Sequence, residues 1–273
     1  MALFDKGTKI LATDWGNGVI QILDLDLNYI KSVIPKSCLR KPSGICVQVK
    51  ENGDEFIFVS DDNGRKVIMF DSSFQLIKTI GNNLNSIHYI SVDSNNLYVS
   101  HAMDNNVSVF SLNNDQLITK INIERPFHST SDVSFIYIVS NVDGECDYKI
   151  RKISKIKKGN YINVISKTFF IIIKKIKFDD WLFPHSIYLS NDQNIYTLAF
   201  ELDNYNYWSK NKYLFQVNKE NNQITNKIQL SISGFYDALY LNNKMILSGV
   251  NSTDNEMRIL EFHNDYVVLL QNK

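Results

Sequence analysis

The stretch KILATDWGNGVIQILDLDLNYIKSVI, residues 9–34, aligns without gaps with EFIFVSDDNGRKVIMFDSSFQLIKTI, residues 55–80, and with NLYVSHAMDNNVSVFSLNNDQLITKI, residues 96–121. Each copy reads as a strand ending in a small residue and a polar one, a polar turn, an alternating strand, a second turn and a strand closing on Ile. The polar position is Asp14, Asp61 and His101, and nine residues later each copy places Leu23, Phe70 or Phe110. Looser copies surround Asn141, Glu201 and Asn251, so the unit recurs at intervals of 40 to 60 residues. That spacing matches a four-stranded propeller blade. A further short alternating segment precedes most units, as in SGICVQV (43–49), HYISVD (88–93), HSIYLS (185–190) and YDALYL (236–241). Period-two alternation marks strand rather than helix, and prolines are confined to connections at Pro35, Pro42, Pro126 and Pro184. The expected architecture is an all-β, six-bladed β-propeller of four-stranded antiparallel blades. It forms one domain over residues 1–273, with blades near 1–34, 43–80, 86–121, 129–177, 183–229 and 234–271.

Composition narrows the function classes. With 44% hydrophobic and 21% charged residues, the chain can bury a full core. Lys plus Arg equals Asp plus Glu at 29 each, so no global field attracts a phosphate backbone, and general nucleic-acid binding is not expected. The N-terminal residues MALFDKGTKILATD mix acid and base and contain no long apolar run. No signal peptide and no membrane span are read there, and an intracellular, cytoplasmic location or a place in a virion is expected. Cys38, Cys46 and Cys146 show no C-x-x-C spacing, which favours reduced thiols over a disulfide framework or zinc knuckle. Abundant Asn, Ile and Lys look like coding from an AT-rich genome.

Two units resemble NHL repeats. Blade 2 supplies Pro42-Ser43-Gly44-Ile45-Cys46-Val47, then Val59-Ser60-Asp61, then Lys66-Val67-Ile68-Met69-Phe70, and blade 1 supplies residues 13–23, Thr13 through Leu23. The likeness covers about residues 9–121 and loosens afterwards. It implies a propeller scaffold, and such scaffolds host many functions.

In propellers of this type the start of each first strand and the end of each second strand share one face. On that rule His88 and His185 become equivalent to Ser43, His128 lies near the same point of blade 4, and His101 ends a second strand facing the same way. Tyr236 and Asp237 of the last blade, with Asp14, Trp15, Asp61 and Glu201 from second-strand ends and turns, complete the rim. His88, His128 and His185 are therefore the candidate metal set, because neutral imidazole suits zinc and nearby carboxylates orient it. The arrangement is similar to peptidyl-hydroxyglycine amidating lyases, NHL-like enzymes that hold zinc with histidines at a channel mouth. His185, in Pro184-His185-Ser186, matches that context, whereas the signal peptide and disulfides of a secretory enzyme are not found. Calcium is the other metal considered: a resemblance to calcium-dependent lactonase and phosphotriesterase propellers, which bind metal with an acidic and Asn set in the channel, would imply Glu201, Asn141, Asp237 and Asn251.

The segment 201–215 adds Tyr205, Tyr207, Trp208 and Tyr213. With Trp15, His101, Trp181 and Tyr236 these aromatic and polar residues form the candidate surface for a protein partner. Residues 151–177 contain no acid, and Phe169 to Ile173 form an apolar run that needs cover. No G-x-S-x-G elbow, P-loop, H-E-x-x-H or dinucleotide fingerprint occurs. The function expected is a non-enzymatic NHL-like scaffold with no cofactor, binding a protein partner or ligand through its loop face. The alternative is a metal-dependent hydrolase or lyase working at the histidine-lined channel mouth.

Overall fold

The computed structural model describes residues 1–33, 39–132, 134–142, 159–167, 171–178, 182–189, 194–201, 212–221, 223–230, 237–241, 244–250, 255–263 and 266–272. They form strands throughout, and none of the described residues lies in a helix long and apolar enough to cross a membrane. The first sheet comprises β1 (Ala2–Phe4), β2 (Lys9–Asp14), β3 (Val19–Asp24) and β4 (Tyr29–Val33); the second comprises β5 (Pro42–Val49), β6 (Glu55–Asp61), β7 (Lys66–Asp71) and β8 (Leu76–Ile80). The third holds β9 (Ile87–Val92), β10 (Asn96–His101), β11 (Asn106–Ser111) and β12 (Leu117–Asn122), and the fourth β13 (Pro126–Ser131), β14 (Phe135–Val142), β15 (Gly159–Ser166) and β16 (Ile171–Phe178). Next come β17 (Leu182–Leu189), β18 (Asn194–Glu201), β19 (Lys212–Asn218) and β20 (Ile224–Leu230), then β21 (Asp237–Leu241), β22 (Lys244–Val250), β23 (Asn255–His263) and β24 (Tyr266–Asn272). Within every group the strands pair antiparallel in chain order. The fold is an all-β propeller of four-stranded antiparallel blades. The fourth blade begins at Pro126, three residues earlier than the sequence alignment suggested, so that His128 lies within its first strand.

The blades hold together because their middle strands are apolar on both faces. β10 and β11 bury nearly every residue, and alternate side chains enter different cores. Leu97, Val99 and Phe110 join Phe58 and Met69 of the second blade, while Tyr98, Val107 and Val109 join Ile136 and Ile138 of the fourth. Leu11, Ile20 and Ile22 similarly meet Ile57, Val59 and Phe70, and Tyr137 and Val139 meet Ile187, Ile195 and Phe215. On the other side of the first blade, Ile10, Ala12 and Leu23 pack with Ile246 of β22, with Leu239 of β21 against them. Truncating a phenylalanine such as Phe70 or Phe110 to Ala would cost about 3–5 kcal/mol.

Polar groups then lock the register between blades. Asp93, in the β9–β10 turn, accepts the backbone N–H groups of Asn95 and Asn96 and the hydroxyl of Tyr98 at 2.6 Å, and pairs with Lys167 of the next blade at 2.5 Å. Asp132 repeats the device one blade on, accepting from Ser134, Phe135 and Tyr137 and pairing with Lys219 at 2.6 Å. Partial burial works to raise both carboxyl pKa values, but the lysine ammonium, the tyrosine hydroxyl and the two N–H groups outweigh it and hold both below the ordinary 3.8.

A carboxyl with a depressed folded-state pKa contributes stability that is present above its unfolded value and lost as pH falls through its folded value. The Asp93→Asn, Asp132→Asn double variant is therefore expected to be about 2–3 kcal/mol less stable than wild type at neutral pH. The gap should close as pH drops below about 3.8, which urea unfolding midpoints at pH 7 and at successively lower pH will measure.

Candidate functional site

The starts of the first strands and the ends of the second strands do share one end of the molecule. Pro42 opposes Asp61, Ile87 opposes His101, and Leu182 opposes Glu201. At this end β5, β9, β13 and β17 each carry an irregularity that inserts one extra residue relative to the partner strand. The residues within these bulges are Ser43-Gly44, His88, Phe127-His128 and His185. A bulge re-aims side chains at the rim of a sheet, and here it decides which ring meets which. Gly44 is required by the same crowding, since a Cβ there would lie 3.1 Å from the backbone nitrogen of Ile90 in the next blade.

Three rings from successive blades meet. His88 stands edge-on to Phe127 with centroids 4.6 Å apart and 6.1 Å from His185, and Phe127 is 5.8 Å from His185. These are packing distances for aromatic pairs. His88 remains reachable by water although the surrounding strands enclose it. That enclosure, followed by the neighbouring His128 imidazole, pushes its pKa below the usual histidine range. His185 places Nδ1 3.2 Å from the Ser186 hydroxyl.

The histidine trio expected from sequence is only partly assembled. His128 is buried at 6% exposure with its ring 3.5 Å from that of Tyr89 and 5.5 Å from that of Tyr188. Phe127, which cannot ligate a metal, takes the place beside His88 and His185. Among the described residues no group of three His, Cys, Asp or Glu side chains is placed to hold a metal ion. In β13 both Phe127 and His128 fall within the bulge, and the ring found against His88 and His185 is that of Phe127.

His101, expected on the partner-binding surface, is buried and hydrogen-bonded on both ring nitrogens at the end of β10. It is 3% exposed, with Nδ1 2.6 Å from the Asn85 carbonyl and Nε2 3.0 Å from the Ser108 hydroxyl. A carbonyl can only accept, so Nδ1 carries the proton and Nε2 accepts from Ser108. Burial lowers the pKa of this neutral ring. In the second blade Asp61 occupies the same position with opposite polarity: its carboxylate accepts from the backbone N–H groups of Arg40, Lys41 and Gly64. In the second and third blades the repeated polar position therefore ties the turn to the incoming chain, by acceptor in one and by donor in the other, whereas Asp14 of the first blade accepts from Asn17 and Gln21 within its own hairpin.

Trp15 sits on the β2–β3 turn, 52% exposed, with the Lys41 ammonium 4.0 Å from its ring centroid. Met103 is 70% exposed on the β10–β11 turn at the same end. Trp181, Tyr205, Tyr207, Trp208, Tyr236 and Asn251 lie outside the described residues; Glu201, Asp237 and Asn141 are placed only as strand positions. Tyr213 belongs to β19 rather than to the preceding loop, half-buried against Phe215 under the Lys227 ammonium. The Cys46 thiol is enclosed and its pKa is pushed up by burial, as for an inert thiol. Sequence reasoning missed Phe127, Tyr89 and Tyr188, which adjoin the histidines in their strands. It also missed the Asp-Tyr-Lys clamps, whose signal is a five-residue spacing from Asp93 to Tyr98 and from Asp132 to Tyr137.

No protein-family model and no curated protein matches the sequence. Solved structures do share the fold. Hydrazine synthase of Kuenenia stuttgartiensis superposes with a TM-score of 0.65 at 18% identity, over 89% of this chain and 69% of that one. A functionally unknown protein from Desulfotomaculum acetoxidans gives 0.66 at 14% identity, over 97% and 82%. Virginiamycin B lyase from Staphylococcus aureus gives 0.62 at 14%, over 98% and 81%. Identities this low carry the fold and no chemistry.

Two outcomes test the site. His101→Asp would set a carboxylate against the Asn85 carbonyl, two acceptors face to face, and should destabilise the protein by about 2–3 kcal/mol in thermal or urea unfolding. Histidines whose folded pKa lies below their unfolded value near 6.5 contribute stability present above that pH and lost as pH falls from it. Wild type should therefore weaken between pH 7 and pH 5, and His88→Phe should flatten that part of the profile.

Proposed function

We propose that this chain is a six-bladed NHL-like scaffold acting inside the cell, without chemistry of its own, that binds a protein partner through the end bearing the second-to-third strand turns. Closure of six sheets into one ring is supported by the packing of Ile246 and Leu239 against the first blade. The observation that carries the binding reading is Trp15, a large indole held half in water on the β2–β3 turn and outside the core clusters of the described residues. Aromatic side chains so placed serve as interface anchors, because they offer large area at small entropic cost. Met103, exposed on a turn of the same end, extends the apolar surface with an adaptable side chain.

A second reading, a metal-dependent hydrolase or lyase, draws on the closeness of His88 and His185, 6.1 Å between ring centroids and with the His88 pKa lowered so that it is neutral at pH 7. Affinity capture from cells of the source with wild type, Trp15→Ala and Lys31→Ala separates the two. The scaffold reading expects defined partners that vanish with Trp15→Ala and persist with Lys31→Ala. Identical capture by all three, together with stoichiometric zinc in untagged protein that is lost in a His88→Ala, His185→Ala variant, would replace it by the enzyme.

A further inference from the structure

The outermost strands β4, β8, β12, β16, β20 and β24 each lie at the edge of their sheets, where, among the described residues, one side of the backbone has no hydrogen-bonded strand neighbour. Four of them carry a single lysine, Lys31, Lys78, Lys120 or Lys227, and β24 carries none. β16 differs. At eight residues it is the longest of the six, and it holds Lys174, Lys175 and Lys177 behind Ile171-Ile172-Ile173. Its register neighbours on β15 are Val164, Asn163 and Tyr161, none of them acidic. No Asp or Glu occurs anywhere from Arg151 to Lys177, in a chain whose net charge is zero. The edge is thus apolar in its first half and cationic in its second, with Lys175 and Lys177 on one face of the strand and Lys174 on the other.

We propose that β16 receives an extended acidic segment of a partner protein as a fifth strand, with acidic residues beside Lys174–Lys177 and apolar ones beside Ile171–Ile173. Strand addition satisfies the edge backbone of a sheet, and side-chain complementarity at alternate positions selects the occupant. A second copy of the same strand is selected against. Antiparallel pairing in full register would set Lys174 opposite Lys175 of the copy, and parallel pairing would set every lysine opposite itself; like charges directly opposite are destabilising. An acidic strand reverses that sign at each of the three positions. This edge is separate from the turns carrying Trp15, so the inference stands apart from the scaffold reading above.

The test uses fluorescein-labelled peptides Glu-Val-Glu-Glu-Val-Val-Val and its reverse, titrated with the full chain at low ionic strength and read by anisotropy. Saturable binding of one of them is expected, weakened about tenfold by Lys174→Gln, Lys175→Gln, Lys177→Gln together, and unchanged in Trp15→Ala. Two measurements need no variant: replacing Glu by Lys in the peptide, or methylating alternate backbone nitrogens, should abolish binding to wild type. Absence of saturable binding would overturn the proposal. So would equal binding of the methylated peptide, or preferential binding of an oligothymidylate of matching charge, which would make the edge a polyanion surface instead.

Discussion

The middle strands of this chain are apolar on both faces, and neither face can be left in water. A lone four-stranded meander has one sheet and two such faces, so it cannot satisfy itself; only a neighbour on each side can. That single constraint explains why residues far apart in sequence share cores, why Ile57 and Phe70 complete a surface begun by Leu11 and Ile20, and why β22, near the end of the chain, must return to Ile10 and Leu23 near its beginning. Magnitudes rank the contributions. A buried phenylalanine or isoleucine stabilises by about 1.5–3 kcal/mol over its exposed state, and each blade interface holds several. Exposed ion pairs such as Lys9 with Asp5, screened by water, contribute far less.

Polar groups specify what apolar burial leaves undetermined, namely the angle and register of one blade on the next. Asp93 and Asp132 each tie a turn, a tyrosine and a lysine from the adjoining blade to one carboxylate. The Ser91 and Ser129 hydroxyls meet at 2.6 Å between inner strands, and Gln48 reaches across to the carbonyls of Asp93 and Ser94. At the second-strand ends of the second and third blades the requirement is for a hydrogen-bonding group of either polarity, matched by the incoming chain. Asp61 meets backbone donors and His101 meets a backbone carbonyl, so the two residues look unlike in sequence while performing one task.

Strand periodicity and repeat spacing made the blades legible, because alternation and a recurring polar end are one-dimensional signals. The candidate site was legible only coarsely. That inner strands begin where second strands end placed His88 and His185 together correctly. It could not place His128, because an inserted bulge residue changes which side chain faces which neighbour, and bulge position is set by the partner strand rather than by the strand itself. His101 shows a related limit: the hydrogen bond of a polar residue at a rim cannot be read until the chain arriving from the previous blade, here Asn85, is known. The clamps built on Asp93 and Asp132 escaped notice because their lysines arrive from more than seventy residues downstream.

The outer strands show the limit of the same logic. Tyr29 and Ile30, Leu76 and Ile77, Leu117 and Ile118, and Ile224 are large apolar residues left exposed at equivalent edges, so the rim of the propeller is where burial stops. Within three residues of each stands a lysine, at 31, 78, 120 and 227. Charged side chains in edge strands oppose pairing with foreign strands, and the repetition of this device from blade to blade answers a hazard that the architecture itself creates, since every blade added to the ring adds one more open edge. Inner and middle strands are fully committed to holding the ring. Chemistry and recognition are therefore confined to the turns at its two ends and to the edges that depart from the single-lysine pattern, β16 with three lysines and β24 with none.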